Sequence, residues 1–365
     1  MLRNYESEFP FLTRMHSRVA LRSSRGSVLV VLFLACSLGF AQDSTSPQST
    51  LDQAEALLNQ GKPGDALSLL TALAEKDPKA PGLQGKMGKA YFRSRQVAPA
   101  IDHLKAALQQ DAGDRESAQL LALSFYAQGK CREALPLLEK FGPQPVEGSP
   151  DIPNLASICY VMTEQWDKAR TSMAQMFSLS PDSAMAYLML GKLLVQRQMV
   201  DRAVPQVETA LRLDPHLTMA HFLLGEIYLY QSNPQAAVSE FQKELAVNPT
   251  VWLAYWRLGD AYVRLGNYEQ AETVLKEAIW LNDTSAGAYF LLGEIALKKN
   301  DPALATGFLE RALGFEPQNI DAHSALAGAY KALGREAEAK RESGIAHTLR
   351  SESHASQKDV LQPVP

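Results

Sequence analysis

The chain has 365 residues, 36 of them Lys or Arg and 40 Asp or Glu, for a formal net charge of −4 at pH 7. Hydrophobic residues make up 46% and charged residues 21%, a globular rather than a disordered composition. The mildly acidic balance argues against a nucleic-acid binder, which calls for a basic face.

In chain order, Arg14, Arg18, Arg22 and Arg25 precede an apolar run from Val28 to Phe40, and Ala41-Gln42-Asp43 follows. A basic stretch, a short apolar run and a small residue before a polar one describe a secretory signal over residues 1–41, cleaved after Ala41, with Met15 an alternative start. The run is shorter than the ~20 residues of a membrane span. Two alternatives stay open. One is lipidation at Cys36, although Phe33-Leu34-Ala35-Cys36 lacks the leucine preferred three places earlier; the other is an uncleaved anchor. The protein is therefore expected to be exported, periplasmic or secreted, with an outer-membrane lipoprotein as the alternative. Membrane contact is expected only through the signal or a lipid at Cys36. Residues 42–46 form a short linker. Without residues 1–41, the balance is 31 basic against 38 acidic residues, a net charge of −7.

From there an alanine recurs at Ala66, Ala100, Ala134, Ala169, Ala203, Ala237, Ala271, Ala305 and Ala339, in steps of 34 residues with a single 35. Such a period means stacked copies of one supersecondary unit. With that alanine at position 20, units start near 47, 81, 115, 150, 184, 218, 252, 286 and 320. Position 8 is always small: Ala54, Gly88, Ala122, Ser157, Gly191, Gly225, Gly259, Gly293 and Ala327. Position 11 is mostly aromatic or leucine, and position 24 is mostly a large apolar residue such as Leu70, Val207, Phe241 or Leu275. Positions 4, 7, 8 and 11 share one helical stripe, as do 20, 24 and 27, so each unit is two amphipathic helices. The small residues at 8 and 20 are expected to face each other where the helices cross, with 7, 11 and 24 filling the space around them. Gly129, Asn233-Pro234, Gly266-Asn267 and Asn300-Asp301-Pro302 mark the turn between helices. Proline at position 32 (Pro78, Pro181, Pro215, Pro249, Pro317) is expected to end the second helix.

Leu224-Gly225-x2-Tyr228, Ala237-x3-Phe241 and Pro249 resemble the tetratricopeptide repeat signature, as do Leu258-Gly259-x2-Tyr262 and Ala271. The resemblance spans residues 47–350 and implies an all-α fold: an α-solenoid of stacked antiparallel helix pairs wound as a right-handed superhelix. It departs at position 4, where the family's tryptophan is replaced by Tyr187, His221, Tyr255, Tyr289 or His323. Three units are expected over 47–149, and five units with a capping helix pair over 150–350. The polar residues 351–365, with two prolines, are expected to be a disordered tail. Between them, Phe141-Gly142-Pro143-Gln144-Pro145-Val146-Glu147-Gly148-Ser149-Pro150 is where the period slips, as a hinge or a tolerated insertion.

Two cysteines follow the signal, Cys131 and Cys159, toward the same end of the helical layer. They are either a disulfide, which would close a 28-residue separation for roughly 3–4 kcal/mol of stabilisation, or two thiols packing as small apolar groups.

No catalytic constellation, metal-ligand spacing or phosphate-cradling loop occurs, so no enzyme activity, metal or cofactor is expected. The packing residues are Gly88, Gly191, Gly225, Gly259 and Gly293 at position 8 and Ala100, Ala134, Ala169, Ala203, Ala237, Ala271 and Ala305 at position 20. In the family that the chain resembles, the first helices line the concave face. There, position 5 reads Leu188, Phe222, Trp256 and Phe290, and position 9 reads Glu226, Asp260 and Glu294. Each of these aromatics stands four residues before an acid on the same helix face. They are the candidate groove for a protein or peptide segment carrying apolar and basic side chains. In the competing reading the aromatics pack between neighbouring first helices, and Arg264 and Lys298 neutralise Asp260 and Glu294. Lys86, Lys89 and Arg93 read as a solvated basic face. Asparagine never occupies position 9, which excludes the family's clamp for chaperone C-terminal carboxylates. The resemblance and the signal together imply a non-catalytic interaction scaffold of a bacterial cell envelope. The alternatives are a periplasmic ligand- or peptide-binding receptor domain and a non-catalytic subunit of an envelope enzyme complex.

Overall fold

The computed structural model describes residues 46–141 and 152–361. The predicted signal with Cys36 and Ala41, nearly all of the linker and the proline-rich stretch after Phe141 lie outside them. Among the described residues every regular element is an α-helix. The chain divides into two compact units, residues 1–165 and 166–365. In the first, α1 (Pro47–Asn59) pairs with α2 (Pro63–Lys76), α3 (Leu83–Arg93) with α4 (Val97–Gln110) and α5 (Arg115–Ala127) with α6 (Cys131–Phe141); α7 (Ile152–Met162) packs on α6. In the second, α8 (Trp166–Met176) packs on α9 (Ala184–Gln196), which pairs with α10 (Val200–Leu213). The pairs α11 (Ala220–Tyr230) with α12 (Pro234–Val247) and α13 (Trp252–Arg264) with α14 (Tyr268–Leu281) follow. Then come α15 (Ala286–Lys298) with α16 (Pro302–Phe315) and α17 (Ile320–Ala332) with α18 (Glu336–Leu361). Each unit is an α-solenoid of stacked antiparallel helix pairs. No described helix is long and apolar enough to cross a membrane.

Every first helix ends in the same way. Position 15 is left-handed in all nine repeats, as Gly61, Arg95, Gly129, Glu164, Gln198, Ser232, Gly266, Asn300 and Gly334, with φ between 57° and 77°. The following N–H then donates back to the carbonyl at position 11, at 2.8–2.9 Å from Lys62 to Leu57 through Arg335 to Tyr330. This is the Schellman closure, which satisfies carbonyls the helix leaves orphaned. Asn233 and Asp301 then cap the next helix, their side chains accepting from the N–H groups of Ala236 and Leu304, with Pro234 and Pro302 at the first helical position.

Five second helices end in a device that the proline pattern does not reveal. Position 31 is Asp77, Asp111, Asp214, Asn248 or Asn282, and its side chain accepts from the N–H two residues on, at 2.8–3.3 Å. Such an Asx turn competes directly with helix continuation. Asp111 and Asn282 do this with no proline at position 32, so these two helices stop without one, whereas α16 ends before Glu316-Pro317 with no Asp or Asn at position 31. α18 runs through position 31, Arg350, and on to Leu361, over part of the 351–365 stretch that the sequence reads as a tail; the first proline in that stretch is Pro363.

The helix crossing also differs from expectation. Position 8 approaches position 20 only at its backbone carbonyl; chiefly it forms a hole for the side chain at position 24 of its own pair. A Cβ on Gly88, Gly191, Gly225, Gly259 or Gly293 would lie 2.5–2.6 Å from Leu104, Val207, Phe241, Leu275 or Leu309. Position 20 lies beside that knob: the carbonyls of Ala203 and Ala305 are 3.5–3.6 Å from the same point. Ala100, Ala134, Ala169, Ala203, Ala237, Ala271 and Ala305 are all 0% exposed. Within each unit successive first helices also touch, α1 to α3, α3 to α5 and α5 to α7, and then α9 to α11, α11 to α13, α13 to α15 and α15 to α17. Among the described residues no second helix packs broadly on the next, so the first helices form the continuous layer of each unit.

Candidate interaction face

Along the first-helix layer, charges run from one repeat to the next. In the second unit Glu226, at position 9 of α11, meets the Arg257 guanidinium at position 6 of α13, with Nε to Oε1 2.8 Å. In the first unit Glu55, at position 9 of α1, meets Lys86 at position 6 of α3 at 2.6 Å. Lys89, also on α3, bridges Glu55 at 2.6 Å and Glu116 of α5 at 2.5 Å. Lys89 is therefore a buried link between three helices and not part of a solvated basic face. Burial alone would lower its pKa, but the bonds to Glu116 and Glu55 hold it above the usual lysine value. Glu55 is held down by Lys86 and Lys89 against the opposing effect of burial.

The candidate groove residues separate on inspection. Leu188 and Phe222 are buried, and Phe222 packs on Phe241 with ring centroids 5.6 Å apart. Both belong to the core. Trp256 lies over α15, where a Cβ on Gly287 would meet its ring at 2.6 Å, and the Arg257 guanidinium stacks on it at 4.3 Å. Phe290 bridges two clusters of the core and stays half-buried. Phe222 thus packs on the second helix of its own pair and Trp256 on the next first helix, and of the four only Trp256 and Phe290 keep part of their surface.

The carboxylates differ in the same way. Burial pushes Glu226 up to about 7 despite Arg257. Asp260 is held by both nitrogens of the Arg264 fork, at 2.9 and 3.0 Å. Glu294 has no ion pair or hydrogen-bond partner among the described residues. Its pKa is raised by burial and by the nearby Asp260 and Asp321, with Lys298 opposing. On the same layer, burial lowers Lys192.

Sequence reasoning missed Arg257 and what position 4 does. His221 Nδ1 meets Glu240 at 2.7 Å, His323 Nδ1 meets Glu342 at 2.6 Å, and His103 Nδ1 meets Gln84 at 2.7 Å. All three pairs join positions 4 and 23 of one repeat, 19 residues apart. In these units a polar pair between the two helices takes the place of the family's tryptophan. The signal was present as complementary residues at fixed separations of 19 and 31.

Repeated helix pairs, with charges carried along one helical layer, define an α-helical repeat scaffold. Tetratricopeptide repeat profiles match residues 57–123, 160–218, 188–250, 222–283 and 256–320. The chain belongs to the tetratricopeptide repeat family. A stretch of 109 residues, 30% of the chain, is 28% identical to tetratricopeptide repeat protein 21B of Mus musculus and spans 8% of that protein. Among solved structures, pilF of Pseudomonas aeruginosa is 23% identical at a TM-score of 0.43, covering 45% of this chain and 75% of that one. YrrB, described as a TPR protein with an unusual peptide-binding site, is 20% identical at 0.42, covering 52% and 99%. Arrays of this family serve as protein-interaction scaffolds, and this chain is of that class.

Proposed function

We propose that the chain is an exported, non-catalytic scaffold of a bacterial cell envelope that takes a partner segment against the first helices α13 and α15. The supporting observation is Glu294: a half-buried carboxylate with no ion pair or hydrogen bond among the described residues, one helical turn from the half-exposed Phe290. A lysine or arginine of a partner supplies the missing charge, and an apolar neighbour covers Phe290 and Trp256. The export setting rests on the N-terminal basic and apolar run.

Affinity capture from envelope extract with the chain starting at Gln42 tests this. Glu294→Gln combined with Phe290→Ala, checked for folding by circular dichroism, is expected to lose a partner that the unaltered chain retains. Undiminished capture by the folded variant removes the reading. A small molecule co-purifying in place of a protein favours a receptor role instead.

A further inference from the structure

We propose that Cys131 and Cys159 are joined by a disulfide that staples α6 to α7 in the first unit. Cys131 opens α6 and Cys159 lies late in α7; they are 3% and 0% exposed, and their sulfurs are 2.6 Å apart. That separation is well inside ordinary non-bonded contact and a small movement from the ~2.05 Å of a covalent bond. The Met162 sulfur lies 3.6 Å from that of Cys131.

Placement within the repeat supports the assignment. The two cysteines occupy position 17 of one unit and position 10 of the next. Elsewhere these slots hold pairs such as Val97 with Ser124, Pro234 with Ala261 and Pro302 with Ala329. Both cysteines that follow residue 41 thus fall in a single facing pair of slots. They do so where the 34-residue period slips and the connecting sequence is lengthened by prolines and glycines. A longer connection leaves more freedom in the unfolded chain, which a cross-link removes.

The chemistry is thiol–disulfide exchange with an external disulfide, small-molecule or protein, as oxidant. The thiolate of one cysteine attacks that disulfide, forms a mixed disulfide and releases one thiol. The second cysteine, deprotonated, attacks the mixed disulfide; the Cys131–Cys159 bond forms and the second external thiol leaves. The two cysteines lose two protons and two electrons, and the external disulfide becomes two thiols. Because both sulfurs are buried, exchange occurs while the chain is open, and the folded unit then shields the bond from reductant.

The test uses the full chain carrying Cys36→Ser, unfolded and then refolded with oxidised glutathione. Peptide mapping without reductant is expected to recover a cross-linked peptide containing Cys131 and Cys159, lighter by two hydrogens than its separate halves. The urea midpoint is expected to be higher for the oxidised than for the reduced protein, and a mild reductant is expected to cleave the bond only after unfolding. Cys159→Ala is expected to abolish the difference in midpoint. Two alkylatable thiols after oxidative refolding overturn the proposal, as does a cross-link whose reduction leaves the midpoint unchanged. A difference in midpoint that persists in Cys159→Ala overturns it too.

Discussion

Phe241 of α12 fills the hole that Gly225 leaves in α11: a Cβ at residue 225 would lie 2.5 Å from the phenyl ring. Phe241 is 0% exposed, so the ring has little room to retreat. Gly225→Ala is expected to destabilise the chain by roughly 1–3 kcal/mol through overpacking, despite alanine's better helix propensity. Adding Phe241→Leu recreates the alanine–leucine combination of Ala54 with Leu70 and is expected to recover part of that loss. Gly328→Ala, where nothing lies within 4 Å of the new methyl, is expected to stabilise α17 by about 0.5–1 kcal/mol. Urea melts of the three variants check the contrast.

The left-handed turn makes a second prediction. Gly129 has φ 73° and Gln198 has φ 62° at equivalent positions. A side chain in that conformation costs about 1 kcal/mol or more. Gly129→Ala is expected to destabilise by about 1 kcal/mol. Gln198→Gly is expected to stabilise by a smaller amount, since glycine also has more freedom to lose on folding. Thermal melts reporting a gain for Gly129→Ala contradict the shared geometry.

Glu226 makes stability depend on pH. Its pKa is about 7 in the folded chain against the ordinary 4.5 of a glutamate, so the native state keeps a proton that the unfolded chain releases. Stability therefore falls as pH rises from about 4.5 to 7, by roughly 3 kcal/mol at most. Glu226→Gln is expected to remove this component, leaving the variant's advantage over the unaltered chain larger at pH 8 than at pH 5. Denaturant midpoints of the two proteins across that range give the answer.

Lys89 links three helices by two carboxylates. Lys89→Met is expected to cost about 1–2 kcal/mol, because Glu116 loses its bridging partner while Glu55 keeps Lys86. The figure is moderate because both carboxylates are partly solvated. The loss should shrink in high salt, as salt-dependent melts will show.

Helix number, pairing and the burial of position 20 were legible because a 34-residue period imposes one pattern on every copy. The spacing of Gly225 and Ala237 revealed the crossing, but not that Phe241 enters it, since periodicity places residues on stripes without ranking their contacts. Position 15 was hidden by its chemistry: Arg95, Glu164 and Gln198 are not turn residues by propensity, and tertiary packing imposes their conformation. At the candidate site, the sequence set Trp256 one turn before Asp260 and Phe290 one turn before Glu294, which is helix geometry alone. It could not separate them from Leu188 and Phe222, because exposure depends on how closely the next first helix approaches.

Hydrogen exchange of the chain, alone and with its captured partner, tests the central claim most directly. Slower exchange confined to α13 and α15, lost together with capture in Glu294→Gln with Phe290→Ala, is the predicted result. Protection that appears only on the second helices α14 and α16 would contradict it.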